Sequence, residues 1–282
     1  MNQQIRDKAR ELLEARTVSC VIGYERASDG ISSRPAFVYE AKDVERLVFD
    51  KTCTHNLVRY LLARRAQSTA IVVKPCDSRA INLLLVEKQI ERTVFIIGVV
   101  CPGMVEASWG KASDELEPAC QHCRQRTPAI YDFLVGTPEE KVGPDLYADV
   151  AEMEAKPAAE REAFWEEQFK RCIRCYACRQ VCPGCYCPEC FAERLDPAWV
   201  GIKIAPAQNQ VWHAIRALHL AGRCAGCQAC ERACPVGIPL SLLNRKLEKE
   251  VSGLFDFEAG MDDKTPPPFS TFKQDEVLEF GK

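Results

Sequence analysis

Long apolar runs are missing from this 282-residue sequence. A bilayer-crossing helix needs about 18 or more consecutive apolar residues. The longest candidates here, 94–100 around Gly98 and 83–86, fall far short. The opening residues, Met1-Asn2-Gln3-Gln4-Ile5-Arg6, lack the apolar core of a secretory leader. Together these absences predict a cytoplasmic location. Positive charge is not in excess either: 37 Lys and Arg against 40 Asp and Glu leave a net charge of −3. That excludes nucleic-acid binding by phosphate neutralisation as the expectation. There is no G-x-G-x-x-G fingerprint, so a nicotinamide dinucleotide on a Rossmann unit lacks support. The four histidines, His55, His122, His213 and His219, show no metal-ligand pairing. No Ser/His/Asp or Cys/His nucleophile arrangement stands out.

What the chain has in abundance is cysteine, 17 residues of it. In a reducing cytosol these do not form a disulfide scaffold; they read as ligands of metals or clusters. Hydrophobic content of 47% with 27% charged residues is that of a globular protein.

The first half alternates helix and strand patterns. Residues 5–13 read as an amphipathic helix, 17–23 as a buried strand, 55–65 as a second helix and 69–74 as a second strand. Residues 77–88 read as a helix with Asp77 as N-cap, and 93–100 as a third strand. Strands separated by helices of this length predict an α/β domain with a mainly parallel sheet. Ligands of such sheets sit beyond the carboxyl ends of the strands. Here those ends are Lys74-Pro75-Cys76-Asp77 and Val100-Cys101-Pro102-Gly103, and each carries a cysteine. Residues 137–159 read as a linker and 160–170 as a short charged helix. The expected domains are 1–150, 160–245 and an extended tail over 246–282, where Pro266-Pro267-Pro268 interrupts any periodicity.

Two segments share one spacing: Cys172-x2-Cys175-x2-Cys178-x3-Cys182-Pro183 and Cys224-x2-Cys227-x2-Cys230-x3-Cys234-Pro235. Each matches the C-x2-C-x2-C-x3-C-P run of two-cluster ferredoxins, in which the fourth cysteine serves the other cluster. One [4Fe–4S] cluster is therefore assigned to Cys172, Cys175, Cys178 and Cys234, and the other to Cys224, Cys227, Cys230 and Cys182. This stretch resembles a bacterial-type ferredoxin domain, which implies a small α+β unit. The competing reading is a pair of zinc sites in an interaction module, although zinc sites usually show paired C-x2-C knuckles. Between the runs lie Cys185, Cys187 and Cys190, which read either as a further metal site or substitute ligand, or as free thiols packed near a cluster. In the first half, Cys20 reads as core. Cys76, Cys101, Cys120 and Cys123 either converge on a third cluster or are one pair plus scattered thiols, and Cys53 could stand in for Cys76. Arg171, Arg174, Arg179, Arg223 and Arg232 flank the cluster loops, where they would raise reduction potentials or dock an acidic partner.

Three segments arrive in a recognisable order: Lys74-Pro75-Cys76-Asp77-Ser78-Arg79-Ala80-Ile81, then Val99-Val100-Cys101-Pro102-Gly103, then Cys120-x2-Cys123 followed by 127–136. They resemble the beta-subunit family of coenzyme F420-reducing hydrogenases and F420-linked formate dehydrogenases. The resemblance implies an FAD-binding α/β domain with a cluster beside the flavin. By position it makes Cys76, Cys101, Cys120 and Cys123 the ligands of that third [4Fe–4S] cluster, and it sets Lys74, Asp77 and Arg79 near the flavin. The expected role is an electron-transfer subunit of a multi-subunit redox complex, whose partner is a hydrogenase, a formate dehydrogenase or a heterodisulfide-reductase-like module. The rival within redox chemistry is a flavin-free relay. A third possibility is an enzyme with its own soluble donor, such as a reduced deazaflavin.

Overall fold

The computed structural model describes residues 1–64, 67–108, 111–139 and 146–270. Arg65 of the expected second helix, residues 140–145 of the expected linker and residues 271–282 of the tail lie outside these.

The first half is a layered α/β unit. Helix α1 (Asn2–Glu14) buries Ile5, Ala9, Leu12 and Leu13, the i, i+4, i+7 stripe of an amphipathic helix. Strands β1 (Cys20–Arg26), β2 (Ser33–Val38), β3 (Thr69–Val73), β4 (Phe95–Val99) and β7 (Phe133–Val135) form one sheet in the order β2-β1-β3-β4-β7. Between β4 and β7 in the chain, β5 (Val105–Ser108) and β6 (Lys111–Leu116) make a separate antiparallel hairpin. The pairs β1–β3, β3–β4 and β4–β7 are parallel, and only β2 runs antiparallel at its edge. The mainly parallel sheet is thus present. β3 is buried at every residue, as expected of a central parallel strand covered on both faces, which reads as a continuous apolar run.

Helix α2 (Pro75–Val86) leaves the carboxyl end of β3 with Pro75 in its first turn, where a missing N–H costs nothing. Its N-cap is Lys74, and Asp77 sits three residues in. The Asp77 carboxylate accepts the Lys74 backbone N–H at 3.1 Å. The expected N-cap role of Asp77 therefore passes to the adjacent turn. The expected helix over 55–65 is a single 3-10 turn, Leu57–Leu61, started by the Asn56 side chain accepting from Val58 N–H. Cys20 and Cys53 are both fully buried among apolar side chains.

The second half is helical: α3 (Pro118–Gln121) ends the first unit, and α4 (Ala148–Glu154), α5 (Ala158–Arg171), α6 (Ala177–Gln180), α7 (Pro206–His219), α8 (Ala229–Arg232) and α9 (Leu240–Phe255) follow. No strand occurs among the described residues beyond Val135, so the α+β expectation for this half is not met. Helix α4 lies within the expected linker. Helix α9 carries regular structure to Phe255, well into the stretch expected to be an extended tail. The core here is small and built around cysteine: Cys172, Cys178 and Cys230 are buried with Trp212, Ile238 and Leu240.

The two halves are stitched together. Arg79 of α2 pairs with Glu248 of α9 at 3.2 Å and donates to the Ala259 carbonyl at 2.7 Å. Asn82 donates to the Gly260 carbonyl at 2.9 Å. At Gly260 (φ +72°) a Cβ would fall 2.2 Å from the Arg79 carbonyl oxygen, so only glycine permits this approach. Arg232 bridges to Glu117 at 2.7 Å and to the Thr54 carbonyl at 2.8 Å. Among the described residues no helix is long and apolar enough to cross a membrane.

Candidate functional site

The two cysteine runs fold alike. In the first, Arg174 (φ 51°) and Tyr176 (φ 60°) are left-handed; in the second, Gly226 (φ 66°) and Gln228 (φ 52°) are left-handed at the corresponding positions. Each run then enters a four-residue helix, α6 or α8. Alternating right- and left-handed residues turn successive backbone N–H groups inward. A left-handed non-glycine residue costs roughly 1–2 kcal/mol, and such strain persists where a site requires it. The N–H groups find sulfur: Arg174 N donates to Cys172 Sγ and Ile238 N to Cys234 Sγ, both at 3.4 Å. Gly226 and Ala229 do the same for Cys224 and Cys227.

The side chains meet across the runs. Cys172, Cys175, Cys178 and Cys234 line one cavity, walled by Ile173, Trp212 and Leu240. Cys182, Cys224, Cys227 and Cys230 line another, walled by Leu83 and Leu84 of α2. Burial pushes the thiols of Cys178 and Cys230 up to about 12 and about 11. Such groups are neutral near pH 7 unless a metal takes the proton's place. The crossed sets assigned from spacing are therefore the sets that share a cavity. Four thiols with backbone N–H donors and apolar walls suit a [4Fe–4S] cube. Among the described residues no three His, Cys, Asp or Glu side chains converge closely enough for a single metal ion.

The four N-terminal cysteines also gather. Cys101, just past β4, lies within electrostatic reach of Cys76, Cys120 and Cys123. Burial pushes its thiol up to about 12. Met104 N–H donates to Cys120 Sγ at 3.3 Å. The parallel sheet brings Cys76 and Cys101 together by aligning the ends of β3 and β4, and the β5–β6 hairpin delivers α3 with Cys120. Cys76 in turn lies within electrostatic reach of Cys227, and Cys178 of Cys230. The three groups thus form a contiguous series.

Lys74, Asp77 and Arg79 have internal partners. Lys74 Nζ pairs with Asp77 at 2.8 Å, donates to the His55 carbonyl at 2.7 Å and contacts the Tyr24 hydroxyl. Burial opposes the Lys74 charge, but Asp77 and Tyr24 outweigh it and hold the ammonium well above its usual range. Arg79 is taken up by Glu248 and Ala259. None of the three lines the cavity of about 780 Å³ that opens between the two halves. That cavity is bordered by His55, Arg59 and Tyr60, by Glu117, Pro118 and Gln121 beside the N-terminal cysteines, and by Gln228 and Arg232 of the second run. Its size falls within the range of small-molecule sites; of its two arginines, Arg232 is held by Glu117 and the Thr54 carbonyl, and Arg59 donates to the Gln180 carbonyl at 3.0 Å.

Two residues at the cysteine cavities carried no signal in the sequence. His213 Nε2 lies 3.3 Å from Cys172 Sγ. Arg216, also on α7, is buried, donates to the Cys178 carbonyl at 3.0 Å and lies within reach of Cys182, Cys185 and Cys230. Both lie on the buried face of α7; the sequence over 212–220 reads as an amphipathic helix packing over a cluster, without singling out either residue.

No protein-family model matches the chain. It is 23% identical, over an alignment of 349 residues taking in 92% of each chain, to the F420-dependent formate dehydrogenase subunit beta of Methanocaldococcus jannaschii. It is likewise 23% identical, over 350 residues, to the F420-dependent formate dehydrogenase 1 subunit beta of Methanococcus maripaludis, with 91% of this chain and 90% of that one covered. Both alignments are longer than the chain's 282 residues, so these relatives carry segments it lacks. The resemblance first read from three short segments thus extends along nearly the whole chain.

Proposed function

We propose that this chain is an electron-relay subunit of a formate dehydrogenase-type redox complex. It would carry [4Fe–4S] clusters at Cys172/175/178/234 and at Cys224/227/230/182, with a third at Cys76/101/120/123. The observation that carries this reading is the contiguous series of three cysteine groups running from the carboxyl end of the sheet through the second run to the first. A wire needs its stations in close succession, and the clusters supply the redox chemistry while the protein positions and insulates them.

An FAD is assigned to the cavity bordered by His55, Arg59 and Arg232, next to the N-terminal cysteines. A flavin there would exchange electron pairs on one side and single electrons with the adjacent cluster on the other. The partner is a formate dehydrogenase catalytic subunit, or a hydrogenase or heterodisulfide-reductase-like module using the same relay. A flavin-free relay is favoured by one observation, the internal pairing of Lys74, Asp77 and Arg79.

Iron and flavin content of protein purified without oxygen tests the proposal. At least about 12 iron atoms per chain would be needed for three four-iron clusters, and one FAD would complete the scheme. Iron without flavin selects the bare relay. Near-zero iron rejects the electron-transfer reading.

A further inference from the structure

The cysteines between the two runs, Cys185, Cys187 and Cys190, belong to none of these groups. They nevertheless line one cavity, together with His219 at the end of α7. The loop is drawn onto α7 at Gly184, where a Cβ would meet Leu220 at 2.9 Å and the Arg223 carbonyl at 3.3 Å. Three guanidinium groups, Arg179, Arg216 and Arg223, share the lining, and no Asp or Glu does. Arg179 is matched by Glu193 and Arg223 by Glu87. Arg216 is 7% exposed, has no carboxylate partner among the described residues, and its Nε is buried without a hydrogen bond. Arg216 lies within reach of Cys185 and, beyond this cavity, of Cys178, Cys182 and Cys230, so the cavity adjoins the ferredoxin-type sets and is itself lined by cations and thiols without a carboxylate. Cys185 also hydrogen-bonds the Cys182 thiol.

We propose that Cys185, Cys187 and Cys190 bind an additional iron–sulfur cluster as thiolates, with His219 as the fourth side-chain ligand. Each thiol releases its proton as iron binds, and the resulting negative charge is set among the guanidinium groups of Arg179, Arg216 and Arg223 that line the cavity. No three of these side chains form a single-ion site, so the occupant proposed here is a cluster that bridges them. The site adjoins Cys182 of the second-run cavity, and Cys187 is exposed. It therefore marks a place where the proposed relay, on which this inference rests, reaches the surface to meet a partner.

The test compares wild-type protein with a C187S/C190S variant, which leaves Cys185 and its contact to Cys182 intact. Both are purified anaerobically and assayed for iron, acid-labile sulfide and zinc. The expected result is a loss of about four iron atoms per chain in the variant, with the electron paramagnetic resonance signals of the two ferredoxin-type clusters retained. Equal iron in the two proteins, or zinc at this site, overturns the proposal while leaving the relay standing. Wild-type protein without iron overturns both. Alkylation of wild-type holoprotein gives an answer that needs no variant. Cys187 should resist iodoacetamide until the iron is chelated; rapid labelling of the untreated holoprotein rejects the cluster.

Discussion

His213 Nε2 sits 3.3 Å from Cys172 Sγ, while its other ring nitrogen is buried without a partner. The ring is held by stacking on Phe169, with centroids 5.1 Å apart, and edge-on by Trp212. Burial, reinforced by Arg216 and Arg174, pushes its pKa down to about 3, so the imidazole is neutral. In the tautomer with the proton on Nε2, that N–H would point at Cys172 Sγ, and on the proposed assignment it would stabilise the extra electron of a reduced cluster and raise its potential. H213F keeps the stacking and removes the donor. On the proposed assignment, the first-run cluster should become harder to reduce by roughly tens of millivolts, with the second-run cluster unmoved. A spectroscopic redox titration measures both, and an unchanged midpoint would remove His213 from the tuning role.

The crossed cavities make a prediction that adjacency in sequence would reverse. Cys182 belongs to the first run but lines the cavity of the second. On the proposed assignment, C182S should damage the cluster of Cys224, Cys227 and Cys230 and spare that of Cys172, Cys175 and Cys178. The reciprocal variant, C234S, should do the opposite. Iron content with low-temperature resonance spectra of the two variants decides it.

The crossed grouping of the cysteine runs was legible because their repeated spacing is local, and the fold brings each set to one cavity. The central strands were legible because β3 and β4 are continuous apolar runs. The edges were not. β2 contains Pro35, which an edge strand tolerates, and β6 exposes nearly all its residues, so neither shows a core-facing pattern. The 55–65 segment misled because Leu57, Val58 and Leu61 are buried without helical continuation. Lys74, Asp77 and Arg79 were visible as a charge cluster at a strand end. What they do was not, because Glu248, Ala259 and Gly260 lie far away in the chain.

Lys74 and Asp77 are 2% and 0% exposed. Removing one member of such a pair strands the other charge in the interior, at a cost of about 3–5 kcal/mol. K74M is expected to destabilise the first unit by that amount, read as a lower urea midpoint. The double variant K74M/D77L removes both charges and should recover much of the loss. A double variant as unstable as K74M would show that the pair matters for packing and not for charge balance.

Glu154 ties α4 to α9 through Lys246 and Lys249. Hydrogen bonds from these two lysines hold its pKa down to about 2. Because the folded form binds its proton less readily than the unfolded chain, this contribution is full above the ordinary value near 4.5 and is lost as pH falls toward 2. The pair is at the surface, so the effect is small. E154Q should lower thermal stability slightly at pH 7, and the gap from wild type should close on acidification. A gap that persists in acid would assign the effect to something other than charge.

Each ferredoxin-type cavity draws cysteines from both runs, and this has a consequence for how the protein is made. The first three thiols leave the ribosome with residue 178, but the fourth of that set is Cys234. At about 5–20 residues per second, the intervening stretch takes seconds to emerge, during which an incomplete site is open to oxygen and stray metals. Neither set is complete until residues 230 and 234 have emerged. Loading of the proposed clusters then waits on the second run, and a chain ending before Cys234 is left without the fourth thiol of its first set.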